Sequence, residues 1–428
     1  MSVIITRPKE IEKNDKVLYA GNHYISIPMI DCRNGAIKNI NVVSLSNKAL
    51  VELKGKQNLF EPHFFKEGKE IEIEKIETSR ERYYLPQIDF FLRGGIKVKG
   101  RIFTDLEEKG LLYYFESSEE IEISLFFDLK YISLLRFNSH DINIKKKITR
   151  DKWLGNPIYN IISSKVSLAL ALGGDKHFKL DSLKKKKNLQ LKISCRNKNC
   201  FYIAVNYDQD GASATLIHLK RKGYERIYRE FIDWLEQKTI PYPKDPVLET
   251  RLNENLFFNY FYSVAKDMES DKYLALTSRS PRYYVSGAFW ERDAFLWSFP
   301  AIRLVCSQLH QHLAREMIIL HSKNSGDHAH YIDGTVLYPG FELDEAASYF
   351  ILLDSMEDSL IDETLINALE KVFERIEREY DLQTGLYKTF LLPSDDPAKY
   401  SFVLIDNVIL WKGLQHYREV LLKKGKTE

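Results

Sequence analysis

The hydrophobic period of this chain changes near Gly223, and that change divides what it can fold into. Upstream, apolar and polar residues alternate with a period of two, as in Ile71-Glu72-Ile73, Ile96-Lys97-Val98, Ile121-Glu122-Ile123 and Leu191-Lys192-Ile193. Turn formers punctuate them at Asn34-Gly35, Gly94-Gly95 and Gly173-Gly174. Strands with one wet face predict an antiparallel sandwich, not a buried parallel sheet. Downstream the period becomes helical. An amphipathic helix over 223–238 leads into a Pro-rich linker at Pro241, Pro243 and Pro246. Helical stripes then cover 248–268, 292–306, 308–322, 343–356, 360–379 and 403–422, clearest in Leu365, Leu369, Val372, Phe373 and Ile376. The chain therefore reads as an α+β multidomain protein. An antiparallel β-sandwich is expected over 1–222, a linker helix with the Pro-rich linker over 223–247, and α-helical hairpins over 248–428.

A length of 428 residues suits two or three domains, each with its own core. Lys and Arg number 62 against 60 Asp and Glu, a net charge of +2 that argues against a nucleic-acid or anionic-membrane binder. The opening residues contain no signal-peptide run, and no segment reaches the roughly 18 consecutive apolar residues of a membrane helix. A cytoplasmic protein is expected. Four cysteines, Cys32, Cys195, Cys200 and Cys306, lack zinc-site spacing and read as free thiols in a reducing compartment. The lysine runs 145–147 and 184–187 read as exposed strand ends or edge protection. An aromatic share of 13% fits either a large core or rings that stack on sugar faces.

Three segments carry candidate chemistry, each where a loop meets a helix. In Tyr284-Val285-Ser286-Gly287-Ala288-Phe289-Trp290-Glu291-Arg292-Asp293, two acids and an Arg stand beside a Trp. That set suits a sugar subsite, because carboxylates accept from hydroxyls, Arg fixes them and an indole packs on the ring. It also suits a helix start with acids favoured by the dipole. The second is Asp333-Gly334-Thr335 followed by Pro339-Gly340-Phe341-Glu342-Leu343-Asp344-Glu345-Ala346-Ala347. Crowded carboxylates repel, so one can hold a proton near neutral pH, as a glycosidase general acid must. The same pattern describes an N-cap with an acidic first turn. The third, Leu392-Pro393-Ser394-Asp395-Asp396-Pro397, reads equally as a capped turn.

No metal and no cofactor is expected. His310 and His312 are two apart on a helix and face different directions. His328-Ala329-His330 lies in a polar loop that could line a cleft. There is no phosphate-cradling Gly loop, no GxSxG and no HExxH.

Taken in order, the three segments resemble the six-hairpin (α/α)6 toroid glycosidases. Trp290-Glu291-Arg292-Asp293, Glu342-Leu343-Asp344 and Pro393-Ser394-Asp395-Asp396 are similar to stretches of metal-independent exo-α-mannosidases. Ile332-Asp333-Gly334 leading into Leu343-Asp344-Glu345 is similar to bacterial glucoamylases. Those, and the amylo-α-1,6-glucosidase type of debranching enzyme, place a β-sandwich before the toroid. The resemblance implies that Asp344 is the general acid, with Glu342 and Glu345 as neighbours that tune it. Arg292 and Asp293 would hold hydroxyls of the terminal sugar beside Trp290, Glu291 and Asp333, and Asp395 and Asp396 would bind sugar or position water. The implied reaction is inverting, exo-acting hydrolysis of an α-glucoside or α-mannoside.

Residues 248–428 number 181 and hold about six helices, whereas a closed six-hairpin ring has twelve, about twice that length. The toroid is therefore expected to be incomplete, either as a fragment of a split or frameshifted gene or as a half-toroid that a further copy or a second chain completes. Beside the hydrolase stand two alternatives: a carbohydrate-binding or scaffold protein without turnover, and a sugar phosphorylase on the same toroid.

Overall fold

The computed structural model describes residues 17–136, 140–175, 178–183, 188–280 and 287–426. The lysine run 184–187 and Tyr284-Val285-Ser286 lie outside the described residues. The chain forms two compact units: Met1–Phe257 with Lys266–Asp271, and Phe258–Ala265 with Lys272–Glu428.

The first unit is built on a branched network of seventeen strands, antiparallel in every described pairing. Two long strands, Gly110–Phe127 and Asn188–Asn206, run alongside each other and change their other partners midway. Gly110–Phe127 pairs with Ile96–Thr104 along its first half and with Phe60–Lys66 along its second. The change falls at an irregularity between Ser117 and Ile121, where a bulge turns the strand toward a new neighbour. Alternation does the rest: Leu111, Tyr113, Phe115, Ile121, Ile123, Leu125 and Phe127 all enter the main apolar core. Lys145–Lys147 fall in the largely exposed strand Lys145–Arg150, which is bonded to Pro157–Ile162.

Two helices complete this unit before a third leaves it. Helix α1 (Gln209–Lys222) falls where the sequence reads as strand. Its buried stripe is only Ala212, Thr215, Leu216 and Leu219, too weak a signal to stand out among lysines, and Asp208 caps it by accepting from Gly211 N at 2.7 Å. Gly173 is not a turn residue; a Cβ there would come within 3.3 Å of both Leu216 methyls, so the glycine lets α1 approach the sheet. Helix α2 (Tyr224–Lys238) follows, burying Ile227, Phe231 and Leu235, and α3 (Pro246–Tyr262) begins at the third linker proline.

The second unit is helical. It contains α4 (Phe299–Val305), α5 (Ser307–His321), α6 (Leu343–Leu352), α7 (Glu363–Glu377) and α8 (Leu404–Lys423). A π-helical turn, Asp293–Ser298, precedes α4. Helix α5 packs on α4 and α7, and α6 packs on α7 and α8. Asp362 caps α7 by accepting from Leu365 N at 3.0 Å, and Leu365, Leu369, Val372 and Ile376 are buried as the stripe requires. Helix α6 differs from the rest because every residue from Leu343 to Phe350 is buried. A helix apolar on all sides must lie inside, and its acids go in with it. Gly413 of α8 permits that packing: a Cβ there would sit 2.8 Å from Phe350 Cβ. Opposite its buried stripe, α8 exposes Leu404, Val408 and Trp411.

All four cysteines are free thiols. Among the described residues, no helix is long and apolar enough to cross a membrane.

Candidate active site

A three-stranded sheet in the second unit brings two of the candidate segments together. Ala288–Phe289 pairs with Asp327–Tyr331, which pairs with Val336–Phe341. The chain leaves the first strand as Trp290-Glu291-Arg292 and the third as Glu342, the residue at the start of α6. His328 and His330 belong to the middle strand, not to an open loop, and the strand's register shifts on either side of Ala329 between them. Gly326 closes the corner: its N–H donates to Glu291 Oε2 at 2.8 Å and its carbonyl accepts from Glu342 N at 2.8 Å.

Arg292 gathers the acids. Its Nη1 lies 3.0 Å from Glu342 Oε2 and 3.0 Å from Asp344 Oδ2. Its Nη2 donates to Asp395 Oδ1 at 2.8 Å and lies 3.6 Å from Glu345 Oε1 and 3.7 Å from Asp293 Oδ2. The backbone N–H of Arg292 donates to the other oxygen of Glu345. Its guanidinium nitrogens thus face carboxylates supplied by three separate segments. The fork shape of guanidinium makes this possible where a lysine could not bridge them.

The geometry also decides what the acids at the head of α6 are doing. Glu342 occupies the N-cap position, yet its side chain makes no capping bond. Leu343 N donates to Thr389 Oγ1 at 3.2 Å instead, and the Glu342 carboxylate turns to Arg292 and to His328 Nδ1. In the third segment, Asp395 adopts φ 64° inside a turn held by Leu392 N to Asp396 O at 2.8 Å. That left-handed conformation, which asparagine and aspartate tolerate better than most residues, aims Asp395 at Arg292.

Positive charge is scarce here. Glu291, Glu342, Asp344, Glu345 and Asp406 are all fully or almost fully buried, against Arg292 and, when protonated, His328. Burial pushes Glu291 and Glu345 well above the usual carboxylate range and raises Glu342 as well, despite His328 beside it. The bond to Glu342 raises His328. Asp293 is also raised, by burial first, although its side chain remains 44% exposed. Behind this set lies a second, neutral network. Glu291 accepts from Tyr349 OH; His330 Nδ1 lies 3.6 Å from Glu291 and 2.8 Å from His321 Nδ1. Burial holds His330 down at about 4 and His321 well below its ordinary value.

His328, Glu342 and Asp395 place ligand-type atoms within 4.8 Å of one another, the only such group among the described residues. Arg292 already bonds two of the three, so its guanidinium supplies the cation there. His310 is structural, its Nε2 2.9 Å from Ser355 Oγ and its Nδ1 3.2 Å from Phe299 O.

Of the sequence candidates, Glu291, Arg292, Asp293, Glu342, Asp344, Glu345 and Asp395 converge. Asp333 and Asp396 do not. Asp333 accepts from Thr335 Oγ1 at 2.6 Å within a hairpin turn, where Gly334 at φ 81° passes close to Leu320 O. Asp396 is exposed and bonds Ser394 Oγ at 3.1 Å. Trp290 is only 5% exposed, packed with Ala288 and Ala329 and edge-on to His328 at 5.9 Å, so its indole braces the histidine. The sequence pattern does not mark Tyr349 or Asp406, and His328 lies in a strand where a loop is expected. A signal existed for Asp406: it is the one acid on the stripe Asp406, Leu410, Gly413, Tyr417 and Val420 that α8 buries. Its carboxyl is pushed up to about 7 by burial and by Asp344 and Glu342.

No family model matches the chain, and no curated protein matches it. Solved structures do. A bacterial glucoamylase complexed with acarbose aligns with a TM-score of 0.57 at 10% identity, over 100% of this chain and 67% of that one. A putative kojibiose phosphorylase from the human microbiome gives 0.57 at 13% identity, over 96% and 65%. A family GH92 alpha-mannosidase from Bacteroides thetaiotaomicron, in complex with mannoimidazole, gives 0.50 at 12% identity, over 96% and 59%. The fold is of the six-hairpin glycosidase type. The chain spans 59% to 67% of the length of these three structures.

Proposed function

We propose that this chain carries the acid-bearing side of a glycoside hydrolase active site, inverting and exo-acting on α-linked oligosaccharides of glucose or mannose. The observation that supports this is the state of Asp344: one oxygen is fixed on Arg292 Nη1 at 3.0 Å, while Oδ1 has no hydrogen-bond partner. A carboxyl anchored through one oxygen and free at the other suits a general acid that must deliver a proton in a set direction. Glu342 and Glu345 flank it. The half-exposed Asp293 and Asp395 are suited to accept from sugar hydroxyls, and Asp395 to position water across the ring. The four free thiols accord with a cytoplasmic setting.

The likeness to a kojibiose phosphorylase favours a second reading, phosphorolysis. Hydrolysis is preferred because the charge of Arg292 is already shared among carboxylates, which leaves a phosphate dianion facing net negative potential. The test is to incubate the full chain with α-linked disaccharides of glucose and of mannose, with and without inorganic phosphate, and to follow the products by proton NMR. Free hexose released first as the inverted anomer supports the hydrolase. Hexose 1-phosphate formed only with phosphate present replaces it by the phosphorylase. Calorimetric binding without any product leaves the carbohydrate-binding alternative.

A further inference from the structure

Asp406 lies outside all three motif segments, yet it is the most exceptional acid in the site. It is fully buried, and neither carboxyl oxygen has a hydrogen-bond partner. Asp344 Oδ1 is buried and unpartnered as well. Two observations place these orphans on facing surfaces. Gly413 backs directly onto Ala347, Phe350 and Ile351 of α6, and Asp406 stands two helical turns before Gly413 on the same face of α8. The charged groups acting on Asp406 are Asp344 of α6, Glu342 at its N-cap and Arg292, while Asp354 after α6 meets His416 farther along α8, at 3.8 Å.

A buried ionised carboxylate with no donor costs several kcal/mol, and two of them facing one another cost more. One proton removes both difficulties, because a carboxylic acid is a donor and its neighbour is an acceptor lacking one. We propose that Asp406 and Asp344 share a single proton, and that Asp406 is thereby a positioning acid that keeps Asp344 able to carry that proton at neutral pH. The proton resides on either Oδ of Asp406 or on Asp344 Oδ1. When Asp344 gives it up to a leaving oxygen, the pair is left doubly ionised and regains one proton from solvent. The pair titrates as a unit, in the manner of two carboxyls in one site. This rests on the reading of Asp344 as the general acid. The raised affinity of Asp406 for its proton accords with it.

The test is a titration of the substrate-free full chain by infrared difference spectroscopy, wild type minus Asp406→Asn. A protonated-carboxyl C=O band should be present at pH 6 and fade toward pH 8. Asp406→Asn should also melt several degrees above wild type at pH 8, because a neutral amide replaces a buried charge, and the gap should close toward pH 5. With a turned-over glycoside, the alkaline limb of kcat/KM should move down by about one pH unit or more. An absent band, or an Asn variant that melts lower at pH 8 or fails to fold, overturns the shared proton. The band is read without substrate, so it decides this inference even if no glycoside is cleaved. Cleavage without the band would leave the hydrolase standing and remove the pair.

Discussion

Arg292 Nη2 donates to Asp395 Oδ1 at 2.8 Å across a sequence separation of 103 residues. That bond ties a turn near the last helix to the residue that heads the π-helical turn, and the remaining carboxylates assemble around the same guanidinium. Removing the cation should therefore cost stability as well as activity. Arg292→Ala leaves Asp344 buried without a counter-charge and Glu342 with His328 alone, and a loss of about 3–5 kcal/mol is expected in urea unfolding at pH 7. Arg292→Lys should recover only part, because an ammonium cannot span Glu342, Asp344 and Asp395 together. Equal stability of all three proteins would contradict the clamp.

The His328–Glu342 contact predicts a pH dependence. His328 is raised by Glu342, so its contribution is fully present below the unfolded value of about 6.5 and is lost as pH rises through the raised folded value. The stability difference between wild type and His328→Gln should be largest near pH 6 and shrink by pH 9. A gap that grows with pH would mean that the histidine is not charged against Glu342.

The second histidine pair behaves oppositely. His330 is held at about 4 by burial, so the unfolded chain takes up a proton between about 6.5 and 4 that the folded protein refuses. Stability should fall across that window. His330→Gln, which cannot titrate, should show a shallower fall in melting temperature between pH 6.5 and 4.5.

Gly326 is a backbone requirement. At φ 77° a Cβ would lie 2.7 Å from the Phe341 ring, and the N–H that bonds Glu291 would be displaced. Gly326→Ala should lose about 1–3 kcal/mol, measured as a lower melting temperature. Gly68→Ala serves as the comparison, since nothing lies within 4 Å of its added methyl.

Much of this was legible in the sequence because it depends on local period. The stripe Leu365, Leu369, Val372 and Ile376 foretold α7, and the breaks before α5 and α8 fell within a residue or two of where the pattern placed them. The acids of the three segments were recognisable as chemistry because their crowding is unusual. What local pattern could not show is which neighbour a side chain chooses. Glu342 sits at a cap position and does not cap; Trp290 looks like a sugar platform and braces His328. Asp406 was hidden for a related reason: one acid at a helix start is ordinary, and only the packing of α8 on α6 makes it exceptional.

The role of Asp344 is tested by hexose release from an α-linked oligosaccharide by the wild-type chain and by Asp344→Asn, at matched folding by circular dichroism. Wild type should release hexose, and Asp344→Asn should lose roughly 100-fold or more in kcat with the fold intact. A variant that releases hexose as fast as wild type would contradict the assignment of Asp344 as the acid of this site.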